Sequence, residues 1–130
     1  MKYHFELSEY WAALFAKDER AIRSFFQPEA LIYWHNTNEC LTAREFARVN
    51  AAYPGNWSGE IEYELHVGER DNDLIVCAVR VFSTESPDSC HVCSAIQLHE
   101  GKITCINEYW GDDGTPPAWR KAMNVGRPIR

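Results

Sequence analysis

The sequence predicts an α+β protein in which three N-terminal helices pack on one face of a strongly curved antiparallel sheet. Two observations carry this. Apolar residues recur at helical spacing over the first fifty positions, and from about position 60 the period switches to strict alternation. With 130 residues, the chain suits one domain with a sizeable core, spanning 1–130. Runs of helices followed by runs of strands, rather than alternating ones, separate α+β from the parallel α/β folds.

The elements follow in order. Tyr3, Leu7, Tyr10, Trp11 and Leu14 lie on one helical face and predict an amphipathic helix over 3–16. Asp18 is placed to cap a second helix with Ile22, Phe25 and Phe26 as its buried stripe, closed by Pro28. Residues 30–34 read as a short strand and 35–39 as a turn. Thr42 and Glu45 make a capping-box pattern that opens a third helix. Its face is Phe46, Val49, Asn50 and Tyr53, and Pro54-Gly55 stops it. Strands are then expected over 60–67, 74–82, 91–98 and 103–110, with turns at 70–73, 85–88 and 99–101. Residues 111–130, rich in Gly and Pro, are expected to form an irregular tail docked by Trp119.

Composition bounds the partners. The net charge is −6 and no cluster of Lys or Arg is present, which argues against nucleic acid and anionic membranes. No apolar run approaches the length of a membrane-spanning helix. Glu6 and Glu9 interrupt any leader-like apolar segment, and five cysteines without small-scaffold spacing suit reduced thiols. A cytoplasmic protein is therefore expected. Cys90-His91-Val92-Cys93 resembles a ligand motif, but on a strand Cys90 and Cys93 point to opposite faces, so no metal site is expected. Cys93 and Cys105 are expected as outward near neighbours. No cofactor motif is present, since a phosphate loop and a nucleophile elbow are both missing.

The aromatic share, with five Trp, suggests a large core, a roomy apolar pocket, or both. The order of elements, the Tyr10-Trp11-Ala12-Ala13-Leu14 segment with Asp18, and the terminal strand from Gly101-Lys102-Ile103 to Tyr109-Trp110 resemble the NTF2-like superfamily. That superfamily contains ketosteroid isomerases, SnoaL-type polyketide cyclases and scytalone dehydratases. The resemblance implies a cone-shaped fold whose open mouth takes a small hydrophobic molecule. It also implies that Cys77, Val79, Ser94, Ile96, Ile106, Glu108 and Trp110 point inward, and that Tyr10 matches the oxyanion-hole tyrosine of the isomerases. Their catalytic aspartate falls on Trp34, beside His35, and their protonated aspartate falls near Ser94. Standard steroid isomerisation is therefore not expected.

Glu108 is the main candidate acid–base group, a carboxylate inside an apolar and aromatic strand. The alternative is a rim residue paired with Arg44, Arg80 or a backbone group. His35 would be its proton partner, or else a solvated loop histidine. Tyr10 would donate to a ligand oxygen, or else to a core carbonyl. Trp34, Asn36, Cys77, Ser94, Ile106 and Trp110 are the expected ligand contacts, with Trp11 and Trp57 left to packing. The implied activity is a cofactor-free isomerase, lyase or cyclase reaction on a small carbonyl compound. A non-catalytic binding module or a structural dimer is the alternative. Alternation puts Cys93, Ala95, Cys105 and Tyr109 on the outer face of the sheet, where an isologous homodimer contact is expected.

Overall fold

The computed structural model describes residues 3–69 and 72–130. Helices α1 (Leu7–Ala16), α2 (Glu19–Ser24) and α3 (Ala43–Ala52) pack against one six-stranded sheet. The strands are β1 (Phe26–Trp34), β2 (Glu39–Thr42), β3 (Trp57–Glu69), β4 (Asn72–Ser83), β5 (Ser89–His99) and β6 (Lys102–Asp112). Their order across the sheet is β2-β1-β6-β5-β4-β3. The class is α+β as expected, but the sheet is mixed: β1 pairs with β6 in parallel. A parallel pair needs a long crossover, and α3 with the meander β3–β5 supplies it.

Helix α1 starts at Leu7, later than expected, because Glu6 at its N-cap offers no side-chain hydrogen bond and Tyr3 is exposed. Asp18 caps α2 by accepting from the Ala21 N–H, at 3.1 Å. Thr42 and Glu45 form the full capping box on α3. The buried face of α3 is Ala43, Phe46 and Ala47; Val49 and Tyr53 are exposed. Pro28 does not close α2, which ends at Ser24. It lies within β1, where Phe26 pairs with Ile103 and the next partners are Leu31 and Cys105. In that interrupted stretch a missing N–H costs no ladder bond. The expected turn at 35–39 is shorter, since Glu39 already opens the hairpin strand β2. Of the turn expected at 70–73, Arg70 and Asp71 lie outside the described residues.

The concave side of the sheet and the helices share one core. Tyr10, Ile22, Ile32, Val79, Ile96, Ile103 and Ile106 are all fully buried in it. Burying an aliphatic side chain of this size contributes about 1.5–3 kcal/mol. The expected inward residues of β4 to β6 are inward: Cys77, Val79, Ser94, Ile96, Ile106 and Glu108 are buried, and Trp110 packs partly buried against the core.

Strand β3 alternates as expected, but its apolar face turns outward. Ile61 pairs with the inward Val79, then Glu62 is inserted, and Tyr63 pairs with Ala78 on the other face. Tyr63, Leu65 and Val67 are thus exposed on the convex side, with Tyr109. Cys93 and Cys105 both lie on that side but are not neighbours, since Cys93 faces Tyr109 and Cys105 faces Gln97. The tail is not docked by Trp119, which is exposed; Pro117 instead caps a single helical turn, α4 (Ala118–Lys121).

Gly59 is where α1 lies closest to the sheet. A Cβ there would sit 2.4 Å from Cζ of Phe15 and 3.1 Å from the Arg80 carbonyl oxygen. Gly59→Ala should therefore destabilise the protein by about 1–3 kcal/mol. Urea unfolding checks this, and an unchanged midpoint would mean that α1 is not seated tightly on β3.

Candidate functional site

The register of the sheet builds the site. Glu108 on β6 has Trp34 as its partner on β1 and Ser94 as its partner on β5. Partners in register share a face, so both neighbours are brought to the concave side with Glu108. Trp110, two residues on, shares that face by alternation. The Trp34 indole N–H donates to Oε1 of Glu108 at 2.8 Å, and the Ser94 hydroxyl donates to Oε2 at 2.5 Å. The Trp110 side chain adds to the pull that favours the charged carboxylate.

Glu108 is only 1% exposed, and among the described residues no Arg, Lys or His forms an ion pair with it. The Arg80 guanidinium lies instead over the Phe82 ring. Burial pushes the Glu108 carboxyl above the usual glutamate range, against the opposing pull of the Ser94 and Trp34 hydrogen bonds and of Trp110. The rim-residue alternative, a glutamate paired with arginine, is thus not what the fold contains.

Glu108 borders a cavity of about 320 Å³ between the helices and the sheet. Trp11, Trp34, Trp57 and Trp110 line it together with Phe15 and Phe46. Four of the five tryptophans therefore border one space, and Trp11 and Trp57, expected as packing only, belong to it. The stripe Trp11, Leu14, Phe15 was readable as helical spacing. Periodicity shows which face of a helix is covered, but not whether side chains or a void cover it. Glu39, Thr37 and Asp112 lie at the exposed rim.

Other expected site residues are placed elsewhere. His35 projects to the convex side. Its Nε2 lies 2.7 Å from Oδ1 of Asn107, and its ring stacks on Tyr109 with centroids 4.5 Å apart. Only its backbone meets Glu108, its N–H donating to the Glu108 carbonyl at 3.2 Å. The reason is alternation: if Trp34 faces the cavity, the next residue cannot.

Tyr10 is fully buried among Phe5, Trp11, Phe25 and Phe26, and does not border the cavity. Its hydroxyl has no hydrogen-bond partner. Burial raises its pKa well above the usual tyrosine value, with a further contribution from Glu108. Cys77, Ser94 and Ile106 also lie in the core rather than on the cavity wall. Burial pushes the Cys77 thiol up to about 11, opposed by the Trp11 indole that faces its sulfur, a weak acceptor.

Asn36 borders the cavity, but its amide is engaged. Nδ2 donates to the Trp110 carbonyl and Oδ1 accepts from the Trp110 N–H, both at 2.7 Å. It imitates one more residue of the β1–β6 ladder and holds Trp110 in place. Cys90 borders the cavity while Cys93 is exposed on the outer face, so the two do not converge. His91 between them is held by Asp113 and Glu62. Among the described residues no group of three metal-ligating side chains is gathered, and no helix is long and apolar enough to cross a membrane.

The architecture compares closely with solved structures. A candidate ketosteroid isomerase from Kribbella flavida superposes with a TM-score of 0.74 at 16% identity, covering 95% of this chain and 87% of the other. An NTF-2 like protein of unknown function from Burkholderia xenovorans gives 0.71 at 18% identity, covering 94% and 91%. The fold is NTF2-like. A third NTF2-like neighbour, a hypothetical protein with a ketosteroid isomerase-like fold from Catenulispora acidiphila in complex with trimethylamine, gives 0.64 at 16% identity, covering 79% and 82%. No protein-family model matches the chain, and no curated protein matches its sequence. Glu108 is the buried carboxyl among the acidic residues that border this cavity, with Glu39 and Asp112 at the exposed rim.

The raised carboxyl gives a stability signature. An acid more readily protonated in the folded than in the unfolded chain loses stability as pH rises from the unfolded value through the folded one. Glu108→Gln removes that loss. The variant should be more stable than wild type at pH 8 by on the order of 1 kcal/mol, with the gap closing toward pH 4.5. Denaturant unfolding across this range checks it; a pH-independent difference would show that Glu108 titrates normally.

Proposed function

We propose that the cavity binds a small, largely apolar molecule and that Glu108 exchanges a proton with it. This is the work of a cofactor-independent isomerase, lyase or cyclase acting on an enolisable carbonyl compound. The observation that supports this is the buried carboxyl without a cationic partner, facing an aromatic void. Burial without pairing raises a carboxyl above its ordinary range, the direction that suits a general acid or base.

The donors around Glu108 suit both halves of a proton transfer. As a base, the carboxylate is held by Ser94 and Trp34. Once a proton moves from the substrate carbon to Oε2, the Ser94 hydroxyl can rotate and accept it, since a hydroxyl serves either way. His35 and Tyr10 have no part in this reading, which leaves Glu108 as the one proton-exchanging group. A second reading, a non-catalytic binding module, is favoured by one observation: a substrate oxygen would find few donors on the cavity wall that are not already engaged. The trimethylamine complex of a neighbour supports only the general idea that a cone of this kind takes up a small molecule.

Deuterium exchange separates the two readings. With cyclohexanone and related ketones in D₂O, the wild type should speed α-proton exchange at least ~100-fold over buffer, with Glu108→Gln at background. A wild type no faster than buffer would sink the enzyme reading.

The convex face supports a homodimer. Tyr63, Leu65 and Val67 on β3 and Tyr109 on β6 are exposed, Ala78 and Cys93 lie in the row between Tyr63 and Tyr109, and a two-fold contact lets one patch cover itself. Leu65→Arg with Tyr109→Arg should convert a sedimenting dimer into a monomer. A monomeric wild type would overturn the assignment.

A further inference from the structure

The cavity is rich in π-systems and negative charge and poor in free donors. Its hydrogen-bond donors are largely spent inside the protein. Trp34 gives its indole N–H to Glu108, while the Trp11 indole N–H is buried without a partner. Trp57 donates to the Pro54 carbonyl at 2.9 Å, Asn50 to the Phe46 carbonyl at 2.9 Å, and Asn36 to the Trp110 carbonyl at 2.7 Å. The charges that border the space are Glu108, Glu39 and Asp112 against Lys17 alone, and the Lys17 ammonium donates to the Gly55 carbonyl. A neutral polar ligand would lose its water hydrogen bonds there with little in return.

An organic cation matches what is left. A tertiary or quaternary ammonium carries its charge spread over methyl and methylene groups, so it needs few or no acceptors and can lie against aromatic rings. A primary ammonium would need three acceptors, and each Glu108 oxygen already accepts one hydrogen bond, from Trp34 and from Ser94. Four indoles and Phe46 around a small space supply the rings, and Glu108 supplies the counter-charge. At about 320 Å³ the cavity is at the small end for ligand sites, which suits a compact head group.

We infer that the cavity takes a tertiary or quaternary organic ammonium, its charge resting among the indoles and against Glu108. This rests on the reading of the cavity as a ligand site and not on catalysis. A carbonyl compound with an ammonium head satisfies both.

Choline and its neutral isostere 3,3-dimethyl-1-butanol test it, by calorimetry and tryptophan fluorescence on the full chain. Choline should bind at least ~10-fold more tightly than the alcohol, the factor that about 1.4 kcal/mol of cation–π and charge attraction gives. Glu108→Gln should erase most of that preference. Trp57→Leu, which keeps the wall apolar, should weaken choline and spare the alcohol. Equal binding of the two compounds, or an unchanged ratio in both variants, overturns the cation assignment. Binding of cyclohexanone with no binding of choline overturns it too, while leaving the ligand site standing. If none of the three compounds binds, the ligand-site reading falls and takes this inference with it.

Discussion

The parallel pairing of β1 with β6 is the constraint on which the rest depends. It brings the end of the first strand beside the end of the last. Its register sets Trp34 against Glu108, with the His35 N–H bonded to the Glu108 carbonyl. The Asn36 side chain then continues the ladder past the point where the strand itself has turned away. Two residues of backbone, Trp34 and His35, thus join the helical half of the chain to the meander at the site. The hairpin β1–β2 rides on the same strand and ends at Thr42, which caps α3 and points Phe46 into the cavity wall. A loss of this pairing would remove the floor of the cavity and one wall together.

Energetically, the site is an unresolved tension between desolvation and hydrogen bonding. Two donors on one carboxyl, Trp34 and Ser94, would hold an anion well in a polar setting. Here the surroundings are aromatic rings and aliphatic core, and burial dominates. The helix side contributes two further unbalanced groups, the Tyr10 hydroxyl and the Trp11 indole N–H, both buried without a partner. Buried groups of this kind cost stability, on the order of 1–3 kcal/mol each. They mark the part of the molecule where the sequence does not serve the core.

Much of this was legible beforehand. The family resemblance implied that Ser94 and Glu108 share the inward face of β5 and β6, and the capping signals located α2 and α3. The unread parts have physical reasons. His35 was adjacent to the site in sequence but on the wrong side of a pleat. Pro28 reads as a helix stop, yet tertiary pairing of Phe26 with Ile103 had already drawn the chain into a strand. Glu39 to Thr42 looked like a loop leading to a cap because the cap's own residues occupy the strand's end. The cavity itself has no sequence signal, since an aromatic stripe looks alike whether it meets other side chains or empty space.

Glu62 shows how little separates two different molecules. It is one inserted residue, and its place in the alternation hides it. Upstream of it β3 faces the helices, and downstream the same polar–apolar rhythm continues with its parity reversed. Were Glu62 paired in register instead of bulged out, Tyr63, Leu65 and Val67 would turn toward the concave side, and Glu64 and His66 would form the convex surface. The chain would exchange a sticky exterior for a charged one while every residue type kept its order. For a fold shared at under 20% identity with its neighbours, whether a strand bulges out one residue or pairs it is therefore enough to decide which of its faces is apolar.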